Sequence, residues 1–305
     1  MAVPRAVVDV PATVLQGEAL TVRISSATIK GTTAELVLAD GSRHSSSAWR
    51  VAVYAHAHAH SDRSAWIALL GVPSTAAVGE AELVVRFTGG DEGASRDAPQ
   101  RRFSVRVQEG RFRSERIALN RGMTDLRTTD DPRRAEQSQT LWKLIHRVDL
   151  DTRVHSGRFR LPVADFRETS YFGDRREFGY ADGASAQAIH NGMDLAAPTG
   201  TPVIAPASGR VVMAEDRIIT GLSVVLEHLP GVFSLYYHLD SMDVVPGDVV
   251  SAGAPLGTVG STGLSTGPHL HWELRIAGVA VDPRTYLTEP LVDTAMLVRS
   301  LSLIP

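Results

Sequence analysis

The chain of 305 residues contains no cysteine, which excludes disulfide bonds and thiolate metal sites. It has no run of about 18 consecutive apolar residues, the length that a transmembrane helix needs. Its net charge of −3 provides no basic surface of the kind that binds nucleic acid. Histidine and carboxylate side chains are therefore the metal ligands that the sequence can offer.

The composition is that of a soluble globular protein, with 43% hydrophobic and 21% charged residues. The length is sufficient for two domains. The first residues, Met1–Pro4, lack the charged and apolar regions of a secretory signal. This leaves two possibilities, a cytosolic protein or the mature form of an exported one.

Residues 1–110 consist of short β-favouring runs separated by turn signals, from Ala6–Val10 to Arg102–Val107. This spacing predicts an immunoglobulin-like β-sandwich. One stretch within it, His56–His60, alternates histidine with alanine. On a strand these histidines would share a face and could chelate a metal, but no carboxylate is near, which favours an exposed edge or loop.

Residues 111–170 are predicted to be a linker that contains one helix, over about 132–148. Asp131 followed by Pro132 is a helix-start signal. Leu141, Leu144, Ile145 and Val148 follow at helical spacing, so the helix should dock through this stripe. Residues 171–290 form glycine-punctuated β structure, and 291–305 are an apolar tail. The predicted fold class is therefore mainly β.

Five residues of the segment 171–290 carry the chemistry: His190, Asp194, His238, His269 and His271. His269 and His271 are two residues apart on a β-favouring run, so their side chains share one face of a strand. Imidazole and carboxylate together form the ligand set of a catalytic zinc that keeps one position for water. The pattern predicts a metallohydrolase.

Two nearby residues bear on how the predicted site is built. His190 and Asp194 can bind one metal only if the chain bends between them, and Gly192 can adopt the backbone angles for a bend. Glu273 shares the face of the two histidines. It is either a partner that supports a metal ligand or a solvated charge.

The order of these motifs resembles the LytM or lysostaphin-like zinc peptidases, metallopeptidase family M23. The resemblance rests on four runs: His190–Val203, Tyr236–Leu239, Val245–Val250 and Ser265–Glu273. It covers about residues 170–288 and does not extend to the first 110 residues. The five candidate residues match the family pattern without a departure.

This resemblance implies a duplicated hybrid motif fold and zinc bound by His190, Asp194 and His271. It implies that His238 and His269 are catalytic, one accepting a proton from water and the other stabilising an oxyanion, in a division that the sequence leaves open. The implied substrate is a peptidoglycan stem or cross-link peptide. The implied location is extracytoplasmic, with the signal segment absent from this chain. The alternative is a non-enzymatic cell-wall-binding activator that retains the metal site.

Overall fold

In a computed structural model of the chain, the described residues are 6–26, 29–51, 64–88, 98–150 and 157–292. The alternating run His56–His60 and the tail from 293 onward lie outside them. The chain divides into two compact units, Met1–Gly110 with Leu291–Pro305, and Arg111–Pro290. None of the described helices is long and apolar enough to cross a membrane.

The first unit contains two β-sheets. One has the strand order β1-β3-β7-β6, and the other has the order β2-β9-β8-β4-β5. The strands are β1 Val7–Asp9, β2 Thr13–Leu15, β3 Ala19–Ser26, β4 Gly31–Val37, β5 Arg43–Ser47, β6 Trp49–Val51, β7 Ser64–Gly71, β8 Gly79–Thr88 and β9 Gln100–Gln108.

Alternation of apolar residues builds the core of this unit. On β3 the buried side chains are Leu20, Val22 and Ile24, and the same period recurs on β4, β8 and β9. Because neighbouring side chains on a strand point to opposite faces, each sheet contributes one apolar face to a common core. The two sheets agree with a sandwich, while the immunoglobulin-like type stays a prediction.

The second unit holds the remaining strands. A three-stranded sheet has the order β10-β12-β13, and the larger sheet runs β11-β14-β21-β18-β17-β16-β19, with β20 paired to β18 and β15, and β22 to β21. These strands are β10 Ser114–Ala118, β11 Arg167–Ser170, β12 Arg175–Gly179, β13 Ser185–Ile189, β14 Met193–Ala196, β15 Pro202–Ile204, β16 Gly209–Arg217, β17 Gly221–Leu229, β18 Val232–Met242, β19 Val249–Val250, β20 Pro255–Val259, β21 His269–Ile276 and β22 Val279–Val281.

Three helices accompany these sheets: α1 Arg121–Thr128, α2 Pro132–Ile145 and α3 Thr285–Thr288. Asp131 caps α2 by accepting a hydrogen bond from the backbone N–H of Arg133, with Pro132 at the first helical position. Leu141, Leu144 and Ile145 of α2 pack with Phe233 and other buried residues of the sheet. The helix therefore docks through the apolar stripe of its sequence.

The predicted fold class, mainly β, is confirmed. Residues 111–170, predicted to be a linker, belong to the second compact unit. Their strand β10 pairs in parallel with β12, so this segment is part of the folded domain rather than a tether. Several strands of the structure are short or polar, among them β2, β5 and β10 to β14.

Candidate metal centre and cleft

Strand pairing brings the candidate residues of the large sheet together. On β14, Asp194 lies directly opposite His271 of β21, and on β18, Tyr237 lies opposite the same histidine. His269 and His271 both line one cleft, while Leu270 between them is fully buried. The two histidines thus share a strand face, as their spacing predicts.

His190 reaches the same place from the loop that joins β13 to β14. Gly192 in this loop does not have a positive φ angle. It therefore does not supply the unusual backbone dihedral that the sequence predicts. A Cβ atom at this position would lie 2.3 Å from the carbonyl oxygen of Trp272. Gly192 is required because the loop passes directly against β21, which brings His190 next to Asp194.

His190, Asp194 and His271 form the one candidate metal cluster found within the described ranges, and all three are buried. The distance is 3.0 Å from His190 Nε2 to Asp194 Oδ1 and 2.8 Å from His271 Nδ1 to the same oxygen. The two ring nitrogens are 2.9 Å apart. Three potential ligand atoms therefore converge on one point.

The hydrogen bonds of the other ring nitrogens show which atoms carry protons. His190 Nδ1 donates to the carbonyl oxygen of Tyr171 at 2.8 Å, and His271 Nε2 donates to Glu273 Oε1 at 3.0 Å. In the neutral rings the facing nitrogens then carry lone pairs, which point at each other and at a carboxylate oxygen. Lone pairs that point at one another repel unless a cation or an additional proton lies between them. The three ligand atoms therefore fit a metal ion.

Charged side chains support two of the three residues. Arg176 Nη2 donates to Asp194 Oδ2 at 2.6 Å, and its Nε donates to Glu115. Behind His271, the buried Glu273 is held by Arg275 at 2.6 Å. Of the two readings of Glu273, the solvated charge is wrong, because Glu273 is buried and bonded to His271.

This arrangement shifts the pKa values of Asp194 and His271. Burial raises the pKa of Asp194, but hydrogen bonds from His190 and His271 together hold it well below its usual range. Burial lowers the pKa of His271, yet Asp194 and Glu273 outweigh this effect and raise it to about 9. In the absence of a metal, His271 thus holds an additional proton, which a bound cation would replace.

His238 enters the cleft through a break in strand alternation. It follows Tyr237, so regular alternation would point it away from the face on which Tyr237 stacks against His271. Its φ angle of 62° is unusual for a residue with a side chain, and the register of β18 is irregular beside it. The result is that the His238 ring lies 4.8 Å from the His269 ring, measured between centroids.

His238 and His269 have the same tautomer. The Nδ1 of His238 donates to the carbonyl oxygen of Thr262 at 2.8 Å, and the Nδ1 of His269 donates to that of Gly267 at 2.7 Å. Burial, with the neighbouring His269, lowers the pKa of His238 to about 3, and burial also lowers the pKa of His269. Each ring therefore offers an unprotonated Nε2 near neutral pH, a proton acceptor in both cases.

A cleft of about 460 Å³ gives access to these groups. Its lining includes Asp194, Ala196, His269 and His271 and the loop 264–268. β10, α1, β12 and the segment between β10 and α1 contribute further lining residues, which are Glu115, Ile117, Leu119, Met123, Arg176 and Phe178. The segment predicted as a linker thus forms a wall of the cleft.

The structure brings all five predicted residues to one cleft or its buried base, but their assigned roles stay predictions. Sequence reasoning missed Glu115, Arg176 and Arg275. Glu115 and Arg176 lie far from the motifs in sequence, and no local spacing marks them. Arg275 could have been found, because it follows Glu273 by two residues on a strand and so shares its face.

A β-rich domain with a cluster of histidine and carboxylate side chains in an open cleft is the arrangement of a metallohydrolase. Comparison with known proteins gives the family. Residues 188–283 match the model of peptidase family M23. These residues therefore form a domain of the M23 peptidase type.

Individual relatives support this assignment. The chain is 46% identical over 95 residues to the DD-carboxypeptidase/endopeptidase Mpg of Neisseria meningitidis serogroup B, covering 31% of this chain and 22% of that protein. It is 43% identical over 95 residues to the peptidoglycan DD-endopeptidase ShyA of Vibrio cholerae, with the same coverage. The chain thus spans about a fifth of the length of these curated relatives.

One solved structure resembles most of the chain. A protein from Pseudomonas aeruginosa, whose crystal structure is assigned to the M23 peptidases, is 25% identical with a TM-score of 0.58. The match covers 90% of this chain and 95% of that one. The similarity therefore extends beyond the segment that matches the family model.

Proposed function

We propose that this protein is a zinc-dependent endopeptidase that hydrolyses peptide bonds in peptidoglycan stems or cross-links. The observation that carries the proposal is the convergence of three potential ligand atoms beside two neutral histidines in an open cleft. The names of Mpg and ShyA, an endopeptidase and a peptidoglycan DD-endopeptidase, support the substrate class.

His190, Asp194 and His271 would hold the zinc ion. Zinc bound to this set acts as a Lewis acid and makes a water molecule nucleophilic near neutral pH. Asp194 and the Glu273 behind His271 bring negative charge to the cation, and their own partners Arg176 and Arg275 fix their orientation.

His269 is the proposed proton acceptor. Its Nε2 lies 3.7 Å from Asp194 Oδ1, at the edge of the ligand cluster, and is unprotonated because Nδ1 donates to Gly267. From there it can take a proton from the attacking water and pass it to the leaving amine. Gly267 fixes the ring in the tautomer that this role requires.

His238 is the proposed second catalytic group. Its Nδ1–H is committed to Thr262, so its Nε2 can donate to a developing oxyanion only after it has accepted a proton. The same ring in its neutral form accepts a proton from water or substrate. His238 thus works together with His269, across a ring separation of 4.8 Å.

Purified peptidoglycan tests this proposal. We expect the zinc-loaded chain to release muropeptides with newly cleaved peptide bonds, as seen by mass spectrometry, and His269→Ala to release them about 10²- to 10⁴-fold more slowly while retaining zinc. The exposed His146 provides the matched control, since His146→Gln should leave the release unchanged. Zinc-loaded protein that releases no product would contradict the proposal and favour the non-enzymatic activator.

A further inference from the structure

The cleft contains one arginine without a carboxylate partner among the described residues. Arg167 on β11 lines the cleft and is exposed, whereas Arg176, which also lines it, is bonded to Asp194 and Glu115. The two carboxylates that line the cleft are those held by Arg176. Arg167 is therefore an unneutralised positive charge in the cleft.

Strand register fixes where this charge lies. Arg167 is directly opposite Ala196 of β14, which in turn is opposite His269 of β21. Neighbouring strands are about 4.8 Å apart, so the Cα atoms of Arg167 and His269 are separated by roughly 10 Å across one face of the sheet. The small side chain of Ala196 between them leaves open space between the side chains of Arg167 and His269.

The face of β11 that carries Arg167 belongs to the cleft. Thr169 and Ser170, at an irregularity in the register of β11, line the same cleft, while Glu168 bonds to Arg284 instead. Arg167 therefore lies in the same row across the sheet as Ala196 and His269. A guanidinium in such a position recognises planar anions, above all carboxylates, through paired hydrogen bonds.

We propose that Arg167 binds a carboxylate of the peptide substrate. An extended peptide advances about 3.3 Å per residue, so the carboxylate belongs to a residue within about three positions of the scissile bond. This inference rests on the proposed function and specifies its substrate, a peptide that carries negative charge near the cleaved bond. The carboxylate can come from the C-terminus of a stem peptide or from a side chain.

Synthetic cross-linked stem peptides distinguish these sources. Three forms are compared: unmodified, with the C-terminal carboxylate amidated, and with the side-chain carboxylate amidated. We expect the native chain to lose about tenfold in kcat/KM for one amidated form, mainly through KM, because a charge-assisted contact made before the reaction is lost. The form affected identifies the source.

Variants of Arg167 complete the test. Arg167→Gln should cleave the unmodified and amidated peptides at equal rates, and Arg167→Lys should recover part of the preference because it keeps the charge without the planar fork. Arg210 is an exposed arginine on β16 of the same sheet and does not line the cleft, so Arg210→Gln is the control for overall charge. It should behave as the native chain.

The outcomes separate the two proposals. Cleavage without any preference for the carboxylate, or a preference that survives in Arg167→Gln, would overturn the assignment of Arg167 and leave the proposed function intact. If no peptide is cleaved, equilibrium binding of the unmodified peptide to the zinc-loaded chain decides. Weaker binding by Arg167→Gln would then support the carboxylate site although hydrolysis fails, and equal binding would overturn it.

Discussion

The two histidines of β21 share one strand face, yet their surroundings differ. His271 is bonded on one side to Asp194 and on the other to the buried Glu273. His269, two residues earlier, donates to the backbone carbonyl of Gly267 and has a neutral histidine, His238, as its neighbour. The two pKa values accordingly move in opposite directions, that of His271 to about 9 and that of His269 downward.

Under the proposed roles, this difference teaches that the partner of the second ring nitrogen distinguishes the metal ligand from the proton acceptor. Carboxylate partners raise the affinity of an imidazole for protons and cations alike. A carbonyl partner fixes the tautomer without adding charge, which leaves the imidazole neutral and free to exchange a proton. The following variants test this comparison, from the largest expected effect to the smallest.

Removal of the shared carboxylate should have the largest effect. Asp194→Ala eliminates the oxygen on which both ligand histidines converge, so we expect zinc to fall from about one per chain to near zero, with loss of hydrolysis. Metal analysis of dialysed protein measures this. Asp216→Ala, which removes an exposed carboxylate outside the cleft, is the control and should keep its zinc.

Loss of either histidine that donates to a backbone carbonyl, His238 or His269, should affect turnover and not metal binding. For His238→Ala and His269→Ala we expect full zinc occupancy and a decrease in kcat of about 10²- to 10⁴-fold, the usual contribution of acid–base groups. Kinetics on cross-linked peptides, with metal content measured on the same samples, provide the test. Undiminished turnover in either variant would refute the catalytic role of that residue.

The carboxylate behind His271 should matter for metal affinity. Glu273→Gln removes its charge, and we expect zinc affinity to decrease about 10- to 100-fold, as for other groups that support a ligand. Competition with a chelator measures the affinity. Glu227→Gln is a matched control, because Glu227 is also buried on the sheet and bonded to an arginine, Arg147, so its loss should leave zinc affinity unchanged.

Loss of the ion pair between Glu115 of β10 and Arg176 should have the smallest effect. Glu115→Gln leaves Arg176 bonded to Asp194 and removes one partly exposed ion pair. Pairs of this kind contribute about 0.2–1 kcal/mol, so we expect zinc affinity to decrease by no more than about fivefold. A decrease as large as that of Glu273→Gln would mean that β10 controls the ligand cluster more strongly than the comparison implies.

Much of the fold is readable from the sequence where the period is regular. Alternating apolar residues mark β3, β8 and β21, and the stripe on α2 identifies its docking face. Short polar strands such as β10 and β12 have no such pattern, because their pairing is set by the tertiary fold. Their place in the domain therefore required the structure.

The same limit applies to the site. The spacing of His269 and His271 predicts a shared face because strand alternation is local and regular. The direction of His238 is not predictable in this way, since it depends on a positive φ angle that Thr220 and Thr262 hold through hydrogen bonds. Arg176 reaches Asp194 and is bonded to Glu115, which the parallel pairing of β10 with β12 places directly opposite it. No sequence spacing encodes this pairing.

The most direct test of the central claim is the zinc content of His269→Ala and His271→Ala, purified and dialysed side by side. The two substitutions are identical in kind and two residues apart on one strand face. We predict about one zinc per chain in His269→Ala and almost none in His271→Ala. Equal zinc content in the two variants would contradict the division of this strand into a ligand and a proton acceptor.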